Sequence, residues 1–322
     1  MTQGRRLGPY ELLEREGQGD YLIVYRARDT ATNRPVVLKL VHSHLQEDAE
    51  LTERFRRRAE QLLTLEHPTI APVLDVHVGQ NGLYMVSAVP PGESLAQRCT
   101  KACPLEVDDV LSIITQVAEA LDYAHSQGVF HLDVRPANIY VQNETAVLAN
   151  FFVLESCGGA ATYMAPEQLD ETSGDVADQR TDSYALGVVV YKLLTGRPPF
   201  DGTPTDVAAA HLTQRPLAPR VHNPELYPAI DAILLKALAK QPQSRYQSAG
   251  ELAVVLHESV QTAQTRRMAD GGVFESKGGT SDDPIRRSAS LQDSIGIPTW
   301  VWVGLIILLV VIVASIILLA TG

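Results

Sequence analysis

Cysteine is scarce in this 322-residue chain: Cys99, Cys103 and Cys157 make an odd set. So few thiols exclude a disulfide-stapled scaffold and suit a reducing cytosol. Cys99 and Cys103 lie four apart, but no histidine or further cysteine pair completes a zinc site. Positive charge is also in deficit. Lys and Arg number 27 against 38 Asp and Glu, giving a net charge of -11. Phosphate backbones require a concentrated basic face, so no nucleic-acid partner is expected. The local exception, Arg54, Arg56, Arg57 and Arg58, falls on a helical pattern and reads as a solvated helix face. The opening MTQGRRLGPYELLERE has basic residues but no apolar h-region, so no secretory signal is expected. No internal repeat is visible.

One stretch lacks charge altogether. Nothing between Ser294 and Gly322 is ionisable in the physiological range, and Trp300 to Ala320 is nearly all Val, Ile, Leu and Ala. About 20 apolar residues in a helix span the hydrocarbon core of a bilayer. A helix apolar on every face would otherwise need a large protein around it. Trp300 and Trp302 stand at one edge, where interfacial indoles belong. Residues 299–320 are therefore expected to form a transmembrane helix in the lipid bilayer. Arg286 and Arg287 precede it, in keeping with the positive-inside rule. The expectation is a single-pass, tail-anchored protein of the cell membrane, with its folded part on the cytoplasmic side.

Before that span the chain changes character twice. From residue 8 to 90, YLIVYRA, PVVLKLV and LYMVSAV read as strands, and Leu51 to Leu65 has helical period. From 91 to 258 helices dominate: Val107 to Ser126, SYALGVVVYKLLTG, DVAAAHLTQ, AIDAILLKALAK and SAGELAVVLHESV. Gly196, followed by Pro198 and Pro199, stops the second of these. From 259 to 298, Gly271, Gly272, Gly278 and Gly279 mix with Ser, Asp and Arg, the composition of a flexible juxtamembrane linker. Within it, Arg286-Arg287-Ser288-Ala289-Ser290 sets basic residues just before serines. Ser288 or Ser290 is an expected phosphorylation site, where phosphate would bring about two negative charges beside the arginines. The alternative is an ordinary polar tether.

Several short motifs occur in one fixed order. Gly17-Gln-Gly19-Asp-Tyr-Leu22-Ile-Val24 is followed by VVLK ending at Lys39, and then by His131-Leu132-Asp133-Val134-Arg135-Pro136-Ala137-Asn138. Met164-Ala-Pro166-Glu167, the run DSYALG from Asp182 and finally Arg245 complete the series. Alone, each motif is weak. Together they resemble the protein kinase domain over most of residues 8–258, and in particular the bacterial, membrane-anchored, eukaryotic-like Ser/Thr protein kinases. HPTIAPVLD and FDG after GRPP strengthen the likeness.

The resemblance implies an α+β, two-lobed kinase-like fold: a small β-rich lobe over 8–90 and a large helical lobe over 91–258. It implies nucleotide contacts at Gly17, Gly19, Val24, Lys39 and Asn138. It puts the catalytic base at Asp133 and the metal ligands at Asn138 and residue 150, with ATP and Mg²⁺ as cofactors. His131 would be a packed residue supporting the loop.

Several positions depart from that pattern. Asn150-Phe151-Phe152 stands where the family has Asp-Phe-Gly, and a neutral amide is a poor ligand for a hard divalent cation. Family spacing from His67 puts Arg58 where a glutamate should pair with Lys39; Glu60, two residues on, points to another face. Pro90 has no N–H to offer adenine. Val37, Leu22, Leu132 and Arg135 replace an alanine, a glycine, an arginine and a lysine. These departures imply weak or absent binding of ATP and Mg²⁺. The expected function is a pseudokinase that scaffolds or regulates other proteins, such as an active Ser/Thr kinase or envelope proteins. Two alternatives are a low-activity or unconventional Ser/Thr kinase, resting on Lys39, Asp133 and Asn138, and a nucleotide sensor without turnover.

Overall fold

The computed structural model describes residues 5–19, 21–79, 82–151, 161–170 and 176–271. Its first part is a six-stranded antiparallel sheet in the order β1-β2-β3-β4-β6-β5. The strands are β1 (Arg6–Leu7), β2 (Tyr10–Gln18), β3 (Leu22–Asp29), β4 (Pro35–Val41), β5 (Val73–Gly79) and β6 (Gly82–Ala88). Side chains alternate between the two faces of a strand. On β4, Val36 and Leu38 therefore join Tyr10, Leu12, Ala27, Tyr84 and Val86 in an outer cluster. Val41 turns the other way, into the main core with Phe55, Ala59 and Leu62 of α1 (Ala49–Leu63). Asp48 caps α1 by accepting the N–H groups of Glu50 and Leu51.

The second part is mainly helical. A three-stranded sheet of β7 (Glu93–Ser94), β8 (Ile139–Gln142) and β9 (Thr145–Leu148) edges it. Its helices are α2 (Leu95–Lys101), α3 (Val107–Ser126), α4 (Pro166–Leu169), α5 (Gln179–Thr195), α6 (Pro204–Thr213), α7 (Pro228–Ala237) and α8 (Ala249–Gly271). Every residue of α5 from Thr181 to Tyr191 is buried, which marks it as the central helix. It ends at Gly196, whose φ of 80° is the left-handed cap that glycine adopts without strain.

Two features differ from the sequence reading. A flexible linker was expected from residue 259, yet α8 continues to Gly271. Leu252, Leu256 and Val260 are buried one turn apart, so the apolar stripe runs on past the expected boundary. The short α2 was not anticipated; a capping box between Ser94 and Gln97 starts it. The expected span 299–320 and the serines Ser288 and Ser290 lie outside the described residues. Among the described residues, no helix is long and apolar enough to cross a membrane.

The helical part is fastened by a buried ion pair. Arg245 Nη1 and Nη2 donate to the two oxygens of Glu167 at 2.7 and 2.8 Å. Thr181 Oγ1 adds a third hydrogen bond to the carboxylate at 2.7 Å. The remaining guanidinium N–H groups donate to the carbonyls of Ala239 and Lys240, both at 2.7 Å, and of Arg180 at 3.3 Å. Burial raises the Glu167 carboxyl, but the hydrogen bonds and charge of Arg245, with Thr181 in support, outweigh it and hold the carboxyl below its ordinary range. Removing one partner of such a pair leaves a buried charge uncompensated, which typically costs about 3–5 kcal/mol. Arg245→Met should therefore lower the free energy of unfolding, read by chemical denaturation, by an amount in that range. The double variant Arg245→Met, Glu167→Gln should recover part of the loss, because no bare carboxylate remains.

Candidate functional site

The sheet register assembles one side of a cleft. Gly17 on β2 pairs with Val24 on β3, Val24 pairs with Lys39 on β4, and Lys39 pairs with Met85 on β6. Antiparallel partners share a face, so Val24 and Lys39 project from the same side of the sheet. Lys39 is only 2% exposed. The β2–β3 turn is closed by the Gly19 N–H donating to the Leu22 carbonyl at 2.9 Å. His42 meets the Gly19 carbonyl, also at 2.9 Å. A Cβ on Gly17 would touch nothing within 4 Å, so the strand there faces open space.

The opposite side is a loop built on Asp182 of α5. This carboxylate is fully buried, and it accepts the backbone N–H of His131 at 2.8 Å and of Leu132 at 2.7 Å. His125 Nε2 reaches the same carboxylate at 2.7 Å. Two N–H groups on one carboxylate force a sharp turn, and Leu132 sits at φ 62°. The His131 imidazole is wholly buried. Its Nε2 donates to the Ala149 carbonyl at 3.0 Å, which leaves Nδ1 to accept the Asp133 N–H at 3.2 Å. Burial holds this imidazole below its ordinary pKa. The loop therefore turns on a neutral, packed histidine.

From this frame Asp133 meets Asn138 and Asn150. Asn138 Nδ2 donates to both the Asp133 carbonyl and its Oδ2, each at 2.8 Å. Asn150 Nδ2 donates to Asn138 Oδ1 at 3.0 Å. Arg135 Nε stands 3.2 Å from Asp133 Oδ2. Burial pushes the Asp133 carboxyl up, against the opposing pull of Arg135, His131, Asn138 and Lys39. Sequence reasoning brought Asp133, Asn138 and Asn150 to one place but did not foresee that Arg135 would face Asp133. Nor did it foresee Gln168 donating to the Leu132 carbonyl at 2.9 Å. A side chain's partner across a turn is set by loop geometry, for which the sequence carries no periodic signal.

These residues do not fit a Mg²⁺ site. Mg²⁺ requires near-octahedral oxygen and favours carboxylates. Here the Asn138 oxygen already receives the Asn150 amide, and the Asp133 oxygen receives the Asn138 amide. Among the described residues, no group of three or more His, Cys, Asp or Glu side chains could hold a metal ion.

On α1, the acid two residues beyond Arg58 makes its ion pair elsewhere. Glu60 is exposed and pairs with Arg56 at 2.7 Å, on the outer face of α1. Arg58, expected to repel Lys39, has Nη2 donating to the Phe130 carbonyl at 2.5 Å. The long guanidinium arm thus ties α1 to the residue that opens the His131–Asn138 loop. Between the two parts of the fold, Pro90 is buried and brings no N–H. Gly92 follows with φ 86°; a Cβ there would come within 2.2 Å of the Val141 carbonyl, so glycine is required.

Residues 10–258 match the family model described as protein kinase domain. The chain is 34% identical over 280 residues to serine/threonine-protein kinase PknE of Mycobacterium bovis, covering 83% of this chain and 49% of the relative. It is 33% identical over 334 residues to serine/threonine-protein kinase PknB of Mycolicibacterium smegmatis, covering 93% of this chain and 53% of the relative. It thus spans about half the length of these curated relatives. The crystal structure of the Mycobacterium tuberculosis PknI kinase domain superposes with a TM-score of 0.66 at 29% identity, covering 81% of this chain and 99% of that one. The chain belongs to the protein kinase family, among the bacterial Ser/Thr kinases, a family that generally uses ATP and Mg²⁺.

The Arg58 bond is directly testable. Arg58→Met should cost about 1.5–3 kcal/mol in equilibrium unfolding, as for loss of a charged hydrogen bond. Amide hydrogen exchange should rise in α1 and around Phe130 and stay unchanged in α7.

Proposed function

We propose that this chain is a pseudokinase: a kinase-fold domain that has lost phosphotransfer and regulates another protein from a membrane surface. The observation that carries this reading is the amide pair. Asn150 and Asn138 satisfy each other at 3.0 Å in the place where the family gathers a divalent ion. A carboxylate at residue 150 would attract a cation by about 4 kcal/mol per unit charge at 4 Å and an effective dielectric near 20. The neutral amide offers none of that. Lys39 supplies charge for phosphate, and Glu60 of α1 is engaged with Arg56 on the outer face. Pro90 removes one donor to a nucleobase.

A low-activity kinase is the second reading, and one observation favours it. The Asp182–His131 frame holds the Asp133 carboxylate in the loop much as a working enzyme would need. The chemistry lost is the collection of metal and triphosphate, while the base position survives.

Regulation would then work by binding and confinement. Residues 299–320, acting as a tail anchor, would raise the effective concentration of the domain for membrane partners. Those partners would be envelope proteins or an active Ser/Thr kinase, to which Ser288 and Ser290 offer hydroxyls beside Arg286 and Arg287.

The test is phosphate incorporation by the full chain in detergent, with labelled ATP and either Mg²⁺ or Mn²⁺. No autophosphorylation above background is expected. The double variant Asn150→Asp, Arg58→Glu should remain silent, because Pro90 is still in place. Turnover by the wild-type chain that disappears in Asp133→Ala would overturn the proposal in favour of the second reading.

A further inference from the structure

The two cysteines that complete no metal site meet in the fold. Cys99 lies near the end of α2, and Cys103 follows Ala102, which closes that helix in extended conformation. Their sulfurs are 3.0 Å apart, and both residues are partly exposed. Each end of the segment is anchored. The Ser94–Gln97 capping box fixes the start of α2. Beyond Cys103, the Leu105 N–H donates to the Leu193 carbonyl of α5 at 2.8 Å. Cys103 Sγ itself lies 3.8 Å from the Lys192 carbonyl. The thiols are thus held together by a frame that does not depend on them.

We propose that Cys99 and Cys103 form a redox-active dithiol, a modification site where α2 meets α5 that closes to an intrachain disulfide on reaction with a hydroperoxide. A disulfide bond is about 2.05 Å long, so the sulfurs need approach by only about 1 Å. One sulfur, as thiolate, attacks a peroxide oxygen. The O–O bond breaks, and hydroxide leaves and is protonated to water, giving a sulfenic acid. The second sulfur attacks the sulfenyl sulfur. The S–S bond forms, the S–O bond breaks, and the oxygen departs as water with the second thiol's proton. The sulfur pair loses two electrons and the peroxide gains them; an added dithiol reverses the change.

Burial, and then the hydrogen bond with Cys103, push the Cys99 thiol up to about 12. Cys99 therefore stays protonated and is the sulfur that resolves, giving its proton to the departing oxygen. This chemistry is the same whether or not the cleft transfers phosphate.

The experiment uses the full chain carrying Cys157→Ser, so that the third thiol cannot exchange. The protein is treated with hydrogen peroxide, remaining thiols are blocked with N-ethylmaleimide, and mass and tryptic peptides are read. Cleavage after Lys101 separates the two cysteines, so a disulfide keeps two peptides joined. Expected are a loss of two hydrogens, no maleimide on either residue, one Cys99–Cys103 linked peptide pair, and full reversal by dithiothreitol. Closure should be faster in the folded chain than in urea, where the three intervening residues still tether the sulfurs but no fold holds them 3.0 Å apart. Cys99→Ser should leave Cys103 to proceed to sulfinic acid. Maleimide labelling of both residues after peroxide, separate sulfinic acids without a link, or closure no faster than in urea would each overturn the proposal.

Discussion

The Asp182 carboxylate is the anchor on which the cleft depends. It is buried on the central helix α5, and it holds the N–H groups of His131 and Leu132 together with the His125 imidazole. A buried charge is tolerated only when its lone pairs are filled, and three donors fill this one. The same arrangement fixes the direction in which the chain leaves His131. Asp133, Asn138 and Asn150 meet because that turn is fixed, with His131 bridging to the Ala149 carbonyl from below. The frame of a kinase catalytic loop is therefore complete and independent of whatever the cleft does.

What differs is the charge placed on that frame. A family site gathers a polyanion and a divalent cation by opposing charges at short range. Here amides hydrogen-bond to one another where carboxylate and metal would meet. Arg135 leans on Asp133 from the side, and Arg58 reaches a backbone carbonyl across the two parts of the fold. Each substitution is locally satisfied.

Much of this was legible in the sequence, and the reasons differ by element. Strands and long helices announced themselves through period, as α3 and the alternating β4 show. The loop residues were found because the motifs come in a fixed order, which resemblance to a family makes readable. The loss at residue 150 could be read as chemistry, amide for carboxylate. Partners were less legible. Arg58 was read only as a cation opposite Lys39, and its bond to the Phe130 carbonyl was not foreseen. The reach of α8 was also missed, because polar composition after residue 258 concealed Val260, one more turn of a buried stripe. The proximity of Cys99 and Cys103 follows from the extended residue that closes α2, a backbone detail that spacing does not encode.

The account rests on the inability of residues 138 and 150 to bind a divalent ion. A crystal structure of the soluble domain grown with a non-hydrolysable ATP analogue and excess Mg²⁺ tests this most directly. The account predicts that Asn138 and Asn150 keep their mutual hydrogen bond with no metal between them. Ordered Mg²⁺ at about 2.1 Å from oxygens of both residues, beside a resolved γ-phosphate, would contradict it.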